Sequence, residues 1–364
     1  MPAVVFAIDS LLGGGAEKIT ITLAEGFIEQ GYEAHIIIFE SGVNYRLPRD
    51  IKLHSVEKQS NERKGPNRFK KAAAAVDNIL ADIQKRTEII GVISNLTYTD
   101  RVLHYSKFPR ILFCIHNHPS QYWDISGNFF RRINRLRKLR ALYRQKHLVC
   151  VSKGVEENLK SLGVKPRSLR TIYNPFDISL INQLAQETPR IPLDFDYVIC
   201  VGSFKSQKRH DRLLKVYSQA NIPAKLLLLG QGSPSQEAAL RRLAKQYGVE
   251  DKVIFHGFEE NPYPYISRAK ALLLSSDYEG LPTVIIESLI CGTPVVSTNC
   301  PSGPNEILTG DQKRFLVPVD DTELFSKKIH EVLESPPALT DLDLGRFDAR
   351  TAVSLYEAAL RELN

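Results

Sequence analysis

Glu279 and Glu287 stand eight residues apart in the segment SSDYEGLPTVIIESLICGTPVVST, which runs from Ser275 to Thr298. A carboxylate is a good acceptor for paired sugar hydroxyls, so two on one ligand suit a carbohydrate or a ribose. Gly280, Leu281 and Pro282 form a turn between them, and Thr283 opens a stretch of helical periodicity. Thr283 and Val284 then offer backbone N–H groups at a helix N-terminus, where an anion is favoured. Glu279 lies on the loop and Glu287 in the second turn of the helix, so both can reach one elongated ligand. The competing reading makes Glu279 a dipole-compensating residue and Glu287 a surface glutamate. It is weaker for Glu287, because TVIIESLI leaves few faces exposed and an acid in so apolar a helix needs a partner.

Four other stretches carry candidate chemistry. In VGSFKSQKRHD (Val201–Asp211) a strand ends at Gly202, a helix begins near Arg209, and Lys205, Lys208 and Arg209 cluster between and at these ends. A lysine there neutralises a diphosphate; the alternative is a solvated basic turn. Gly13, Gly14 and Gly15 precede a helix, and glycines let backbone N–H groups approach an anion at the helix start. The spacing is neither a P-loop nor a good dinucleotide fingerprint, and the alternative is a flexible strand-to-helix turn. In CIHNHPS, His116 and His118 follow a strand end with no cysteine or carboxylate spaced for zinc. A hydrogen-bonding role at a cleft suits His116 better than a metal, against a structural loop histidine. Finally, Arg131 to Lys146 holds eight basic residues and no acid, with Phe130, Ile133, Leu136, Leu139 and Leu142 recurring every three residues. Basic amphipathic helices of this type lie on anionic membrane surfaces; the alternative is a core-packed helix with a solvated basic face. A second basic patch is NERKGPNRFKK (61–71).

The elements that must position these residues alternate along the chain. AVVFAI (3–8) reads as a buried strand, Ala16–Gln30 as a helix with Ile19, Leu23 and Phe27 on one face, and AHIIIFE (34–40) as the next strand. The alternation continues through helix 69–85 and strands 89–94, 110–115 and 147–152. A polar stretch with prolines, 176–194, reads as a linker. The pattern then restarts with a strand and Gly loop over 197–204, another over 224–232, and strands 253–257, 271–276, 293–298 and 314–318. This predicts an α/β chain of two Rossmann-like parallel-sheet domains, 1–175 and 195–345, with 346–364 as a C-terminal helix. Such domains place a ligand cleft between the carboxyl ends of their strands.

A chain of 364 residues, 43% hydrophobic, is long enough for two sizeable cores. No run approaches the roughly 18–20 apolar residues of a spanning helix, and MPAVVFAIDS lacks the basic start and cleavage site of a secretory signal. Five scattered cysteines fit a reducing cytoplasm. Charge is divided: residues 1–173 carry 28 Lys/Arg against 16 Asp/Glu, and 174–364 carry 20 against 25. The basic half wants an anionic surface such as a membrane leaflet or nucleic acid.

Taken in order, these stations resemble the retaining GT-B glycosyltransferases of family 4, which include sucrose and lipopolysaccharide-core transferases. The most specific piece is YEGLPTVIIESLICGTPVVST, similar to that family's Glu-x7-Glu signature; CPSGPNEIL (300–308) and FLVPVDD (315–321) resemble the segments that follow it. The resemblance implies that Glu279 holds donor-sugar hydroxyls and Glu287 the ribose hydroxyls. Gly280, Leu281, Pro282 and Thr283 would lie against the sugar and phosphate, and Lys208 on the diphosphate. Gly14 and Gly15 would match the loop that closes over the phosphates, Gly202 and Ser203 the first turn of the second domain, and His116 a histidine near the reacting centre. The family has an arginine where this chain has Ser203, so Lys205 or Arg209 must supply that charge. The resemblance further implies a same-face transfer in which the leaving phosphate acts as base, with no metal and no cofactor, the nucleotide sugar being a substrate. It also implies that the C-terminal helix crosses back to the first domain.

The expected activity is therefore transfer of a hexose or N-acetylhexosamine from a nucleotide diphosphate sugar, UDP favoured, to a membrane glycolipid such as lipopolysaccharide core or a lipid-linked oligosaccharide. The expected place is the inner face of the plasma membrane, reached through 131–146 and 61–71. A nucleotide-sugar epimerase of the same architecture would not need that basic face. A nucleic-acid-binding protein would need stacking aromatics interleaved with the basic residues, and these are lacking.

Overall fold

The computed structural model describes residues 1–40, 42, 47–56, 67–125 and 128–363. Most of the 61–71 patch, residues 61–66, lies outside them. The described chain divides into two units, Met1–Phe176 with Gly345–Asn364 and Asp177–Leu344.

In the first unit the strands are β1 (Ala3–Ile8), β2 (Glu33–Ile38), β3 (Ile51–Ser55), β4 (Ile89–Asn95), β5 (Ile111–Ile115), β6 (His147–Cys150) and β7 (Ser168–Thr171). They form one sheet in the order β3-β2-β1-β4-β5-β6-β7, with every pair parallel. The Val, Ile and Phe runs of β1 and β5 are buried along their whole length, as a sheet covered on both faces requires. The order reverses between β1 and β4, so the loops leaving those two strands diverge and open a crevice at their carboxyl ends. Gly13, Gly14 and Gly15 follow β1; Asn95 ends β4, and His116 follows β5.

The Ala349–Arg361 helix is part of this unit. It packs where two glycines leave room: a Cβ on Gly26 would lie 2.5 Å from Val353 Cγ2, and one on Gly91 2.6 Å from Leu360 Cδ2. Tyr356 reaches the core, with its hydroxyl 3.2 Å from Cys114 Sγ.

In the second unit the strands are β8 (Tyr197–Val201), β9 (Lys225–Leu229), β10 (Val253–Gly257), β11 (Leu272–Leu274), β12 (Val295–Thr298) and β13 (Leu316–Val317), in the parallel order β10-β9-β8-β11-β12-β13. The core is Val, Leu and Phe from β8, β9 and β11 together with the His210–Ala220 and Thr322–Glu334 helices. Here the order reverses between β8 and β11. Gly202, Ser203 and the basic residues follow β8, and the Glu279 loop follows β11. Gly230, after β9, packs on that first turn: a Cβ there would fall 2.1 Å from Gly202 O. Within 176–194, read from sequence as linker, Ile178–Ala185 forms a helix capped by the Asp177 side chain. Ile181 and Ala185 are buried, and Asn261 donates to Leu184 O, so the helix belongs to the second unit.

Candidate active site

β11 is three leucines, and the chain turns polar where it leaves the sheet. Ser275 and Ser276 are fully buried, and Glu279 is 6% exposed. A carboxylate so enclosed must be satisfied by neighbours. Glu279 Oε1 accepts from Ser276 Oγ at 2.7 Å and from Lys208 Nζ at 2.7 Å. Gln207 Nε2 donates to Tyr278 O at 2.6 Å and approaches Glu279 Oε2 at 3.5 Å. Burial works against the Lys208 ammonium, but the Glu279 carboxylate outweighs it and holds the lysine above its ordinary value. Lys208 Cε also lies 3.8 Å from where a Cβ on Gly202 would stand. The structure thus brings Gly202, Lys208 and Glu279 together at the β8/β11 reversal.

The Gly280-Leu281-Pro282 turn is held from outside. Gly303 takes φ +97°, and a Cβ there would stand 2.4 Å from Pro282 Cδ and 3.1 Å from Gly280 O. Only glycine meets both demands, the left-handed backbone and the close approach. The Glu279 amide donates to Pro301 O at 3.2 Å. Pro282 precedes the Thr283–Ile290 helix in an extended conformation. In that helix every residue from Val284 to Ile290 is buried, Glu287 included, and Tyr263 OH donates to Glu287 Oε1 at 3.1 Å. A partner for the acid in this apolar helix is therefore Tyr263, the first residue of the Tyr263–Ile266 helix that follows β10.

The charge missing at Ser203 has two candidates with different surroundings. Arg209, at φ +50°, links the Ser206–Lys208 turn to the His210–Ala220 helix. Its guanidinium is committed to Asp211 at 3.0 Å and to both Asp277 oxygens at 3.1 Å. Arg212, buried, shares Asp277 at 2.7 Å and donates to Ser275 O. Lys205 is exposed and has no ion-pair partner among the described residues.

In the first unit Gly14 begins the Gly15–Glu29 helix, with the Glu17 carboxylate lying over it: a Cβ on Gly14 would meet Glu17 Oε2 at 2.4 Å. His116 Nε2 lies 2.8 Å from Asn95 Oδ1, and burial pushes the imidazole down to about 4. His118 is buried beside the Pro119–Tyr122 helix, its Nδ1 without a partner among the described residues. Below them lies Asp100, 1% exposed, accepting from Ser94 Oγ and Tyr143 OH at 2.6 Å each. Burial raises this carboxyl to about 8. Asp9, at the end of β1, accepts from the Thr99 amide and hydroxyl.

Asn95, Ser276, Gln207, Tyr263 and Asp277 were not among the residues singled out from sequence. A signal existed for two of them: ISN and LLLSS place polar residues at the carboxyl ends of apolar strands. Among the described residues no group of three or more His, Cys, Asp or Glu is placed to hold a metal ion, and no helix is long and apolar enough to cross a membrane.

The basic helix spans Phe129–Tyr143, and its apolar residues serve two surfaces. Leu139, Leu142 and Tyr143 are buried, whereas Phe129, Phe130 and Ile133 are 68%, 79% and 41% exposed. The drifting stripe of the sequence is thus divided between the core and solvent.

Comparison with known proteins covers nearly the whole chain. The family model described as Glycosyltransferase Family 4 matches residues 13–180, and Glycosyl transferases group 1 matches 182–344. A Campylobacter jejuni relative, N-acetylgalactosamine-N,N'-diacetylbacillosaminyl-diphospho-undecaprenol 4-alpha-N-acetylgalactosaminyltransferase, is 27% identical over 90% of this chain and 89% of its own. The lipopolysaccharide core biosynthesis glycosyltransferase LpsE of Rhizobium meliloti is 26% identical over 88% and 86%. HepE of Anabaena, solved in complex with UDP, superposes with a TM-score of 0.74 over 99% of this chain and 100% of that one, at 17% identity. The apo lipopolysaccharide outer core galactosyltransferase WaaB gives 0.70 over 100% and 98%, at 18% identity.

Proposed function

For a chain that belongs to the GT-B glycosyltransferases of family 4, we propose transfer of a hexose or N-acetylhexosamine from a UDP-sugar to a membrane glycolipid, with retention of anomeric configuration and without a metal. The observation that carries this reading is the pairing of partly buried Lys208 with buried Glu279 at the β8/β11 reversal. It sets a cation and a sugar-hydroxyl acceptor side by side where an α/β unit binds ligands. Two relatives that match along most of the chain act, by name, on a diphospho-undecaprenol-linked sugar and in lipopolysaccharide core synthesis, which supports a lipid-linked acceptor.

Departure of a diphosphate builds negative charge on its phosphate oxygens, and catalysis follows from positive groups already placed there. Lys208 is one, and the Thr283–Ile290 helix N-terminus is another. Lys205, exposed and uncommitted, supplies the second cation that Ser203 cannot; Arg209 instead braces Asp277. Glu279 holds sugar hydroxyls from the loop and Glu287 holds the ribose from the helix, with Tyr263 fixing its carboxylate. Gly14 and Gly15 keep the role toward phosphate, and His116 the role toward sugar, that the family resemblance implies for them.

The enzyme works at the inner face of the plasma membrane. Phe129, Phe130 and Ile133, exposed beside Arg131, Arg132, Arg135, Arg137 and Lys138, form an apolar tip in a basic collar. That combination suits the boundary of an anionic leaflet.

A thermal-shift screen over UDP-, GDP- and ADP-sugars tests the donor assignment, because binding raises the melting temperature by mass action. Stabilisation by a UDP-sugar is expected; stabilisation only by GDP- or ADP-sugars would replace UDP in the reading.

A further inference from the structure

We infer that Asn95 is a positioning residue that fixes His116 as the Nε2–H tautomer, leaving Nδ1 to accept a hydrogen bond from a substrate hydroxyl. Asn95 is the last residue of β4 and pairs in register with Cys114 of β5, so it stands beside the segment that carries His116 past the end of the next strand. Its side chain is 4% exposed. The amide orientation follows from its two contacts. Asn95 Nδ2 reaches Ile93 O at 3.5 Å, and a carbonyl only accepts, so the NH2 belongs on that side. Oδ1 is then the atom 2.8 Å from His116 Nε2. Oδ1 also only accepts, so Nε2 must carry the proton. In a neutral imidazole the other nitrogen is then the acceptor.

His116 Nδ1 makes no hydrogen bond among the described residues, and it is not one of the buried atoms sealed from solvent. The ring therefore has one nitrogen anchored to the sheet and one presented outward at the carboxyl end of β5. Burial disfavours the imidazolium, so the presented nitrogen accepts rather than donates. That suits the O–H of a sugar and not a phosphate oxygen, which has no proton to give. The inference rests on the transferase reading for the identity of the hydroxyl, and on the geometry alone for the tautomer.

The test has two arms. Nitrogen-15 NMR of histidine-labelled protein, with His116 assigned by comparison with His116→Gln, reads the tautomer without any substrate. Nε2 protonated and Nδ1 bare near pH 7 is expected; the reverse tautomer or an imidazolium overturns the inference whether or not the protein transfers sugar. The second arm replaces Asn95 with Asp, which keeps the acceptor but adds a charge that favours imidazolium, by roughly one to three pH units for such a neighbour. The acid limb of the kcat/KM profile with the UDP-sugar should move up by at least one unit, with activity recovered at higher pH. Asn95→Ala, which frees the tautomer, should lower kcat about tenfold while the donor KM stays within twofold. An acid limb unmoved in Asn95→Asp, with the variant folded, overturns the positioning role. Should Asn95→Asp not fold, an unchanged kcat in Asn95→Ala does so instead.

Discussion

Lys208 Nζ donates to Glu279 Oε1 at 2.7 Å, joining the turn before the His210–Ala220 helix to the loop after β11. The two residues are 71 apart in sequence, and each has a separate proposed task, the lysine on phosphate and the glutamate on sugar hydroxyls. Their pairing means that neither charge is buried alone. Ser276 gives Glu279 a second donor, so the carboxylate stays held when the lysine shares itself with a phosphate. A site built this way is preorganised for a ligand whose sugar and phosphate are directly joined.

Removing either partner should cost stability as well as activity. Lys208→Ala leaves a carboxylate enclosed without its cation, a change worth about 2–3 kcal/mol at this partly open site. Urea denaturation should show that loss, and Lys208→Ala with Glu279→Ala should lose less than the sum of the single variants.

Lys205 and Arg209 should separate cleanly. Lys205→Ala should raise the donor KM about fivefold or more, near 1 kcal/mol, with an unchanged melting temperature. Arg209→Ala should instead lower the melting temperature, because Asp277 loses a partner it shares with the buried Arg212. Steady-state kinetics and calorimetric melting on the same samples distinguish them.

Gly303→Ala should destabilise the second unit by about 1–3 kcal/mol, from strain at φ +97° and the clash with Pro282. Because that clash falls on the Gly280-Leu281-Pro282 turn, donor KM should rise in the same variant.

The pH dependence has two opposed parts. Burial holds the buried His35 and His210 and the half-buried His104 below 6.5, His210 down to about 4. A histidine depressed in the folded state gives stability that is complete above 6.5 and is lost as pH falls toward 4. Urea midpoints should therefore fall between pH 7 and pH 4.5. Asp100 acts the other way: burial raises it to about 8, so its protonated form favours folding at low pH and that contribution is lost as pH rises through 8. Asp100→Asn should gain on the wild type as pH increases from 6 to 9.

What was legible in the sequence was local. The Gly-Leu-Pro turn and the helix of TVIIESLI are short-range features, so Glu279 and Glu287 could be placed on loop and helix before any contact was known. Asn95 could not, because its value to His116 comes from two strands brought into register 21 residues apart. The question left by Ser203 was undecidable for the same reason: Arg209 is withdrawn by Asp277, 68 residues on. The helix inside 176–194 did leave a trace, since Asp177 followed by Ile178, Ile181 and Ala185 is a capped helical period. In the basic helix, period alone could not divide Phe129 and Phe130 from Leu139 and Leu142, which face different surroundings.

Calorimetric titration of UDP and of the UDP-sugar into wild type and Glu279→Ala tests the central claim most directly. If Glu279 holds the sugar and Lys208 the diphosphate, wild type should bind the UDP-sugar more tightly than UDP. Glu279→Ala should keep UDP affinity within a few-fold and lose the added affinity of the sugar. Equal gain from the sugar in both proteins, or no binding of either nucleotide to folded wild type, would contradict the account.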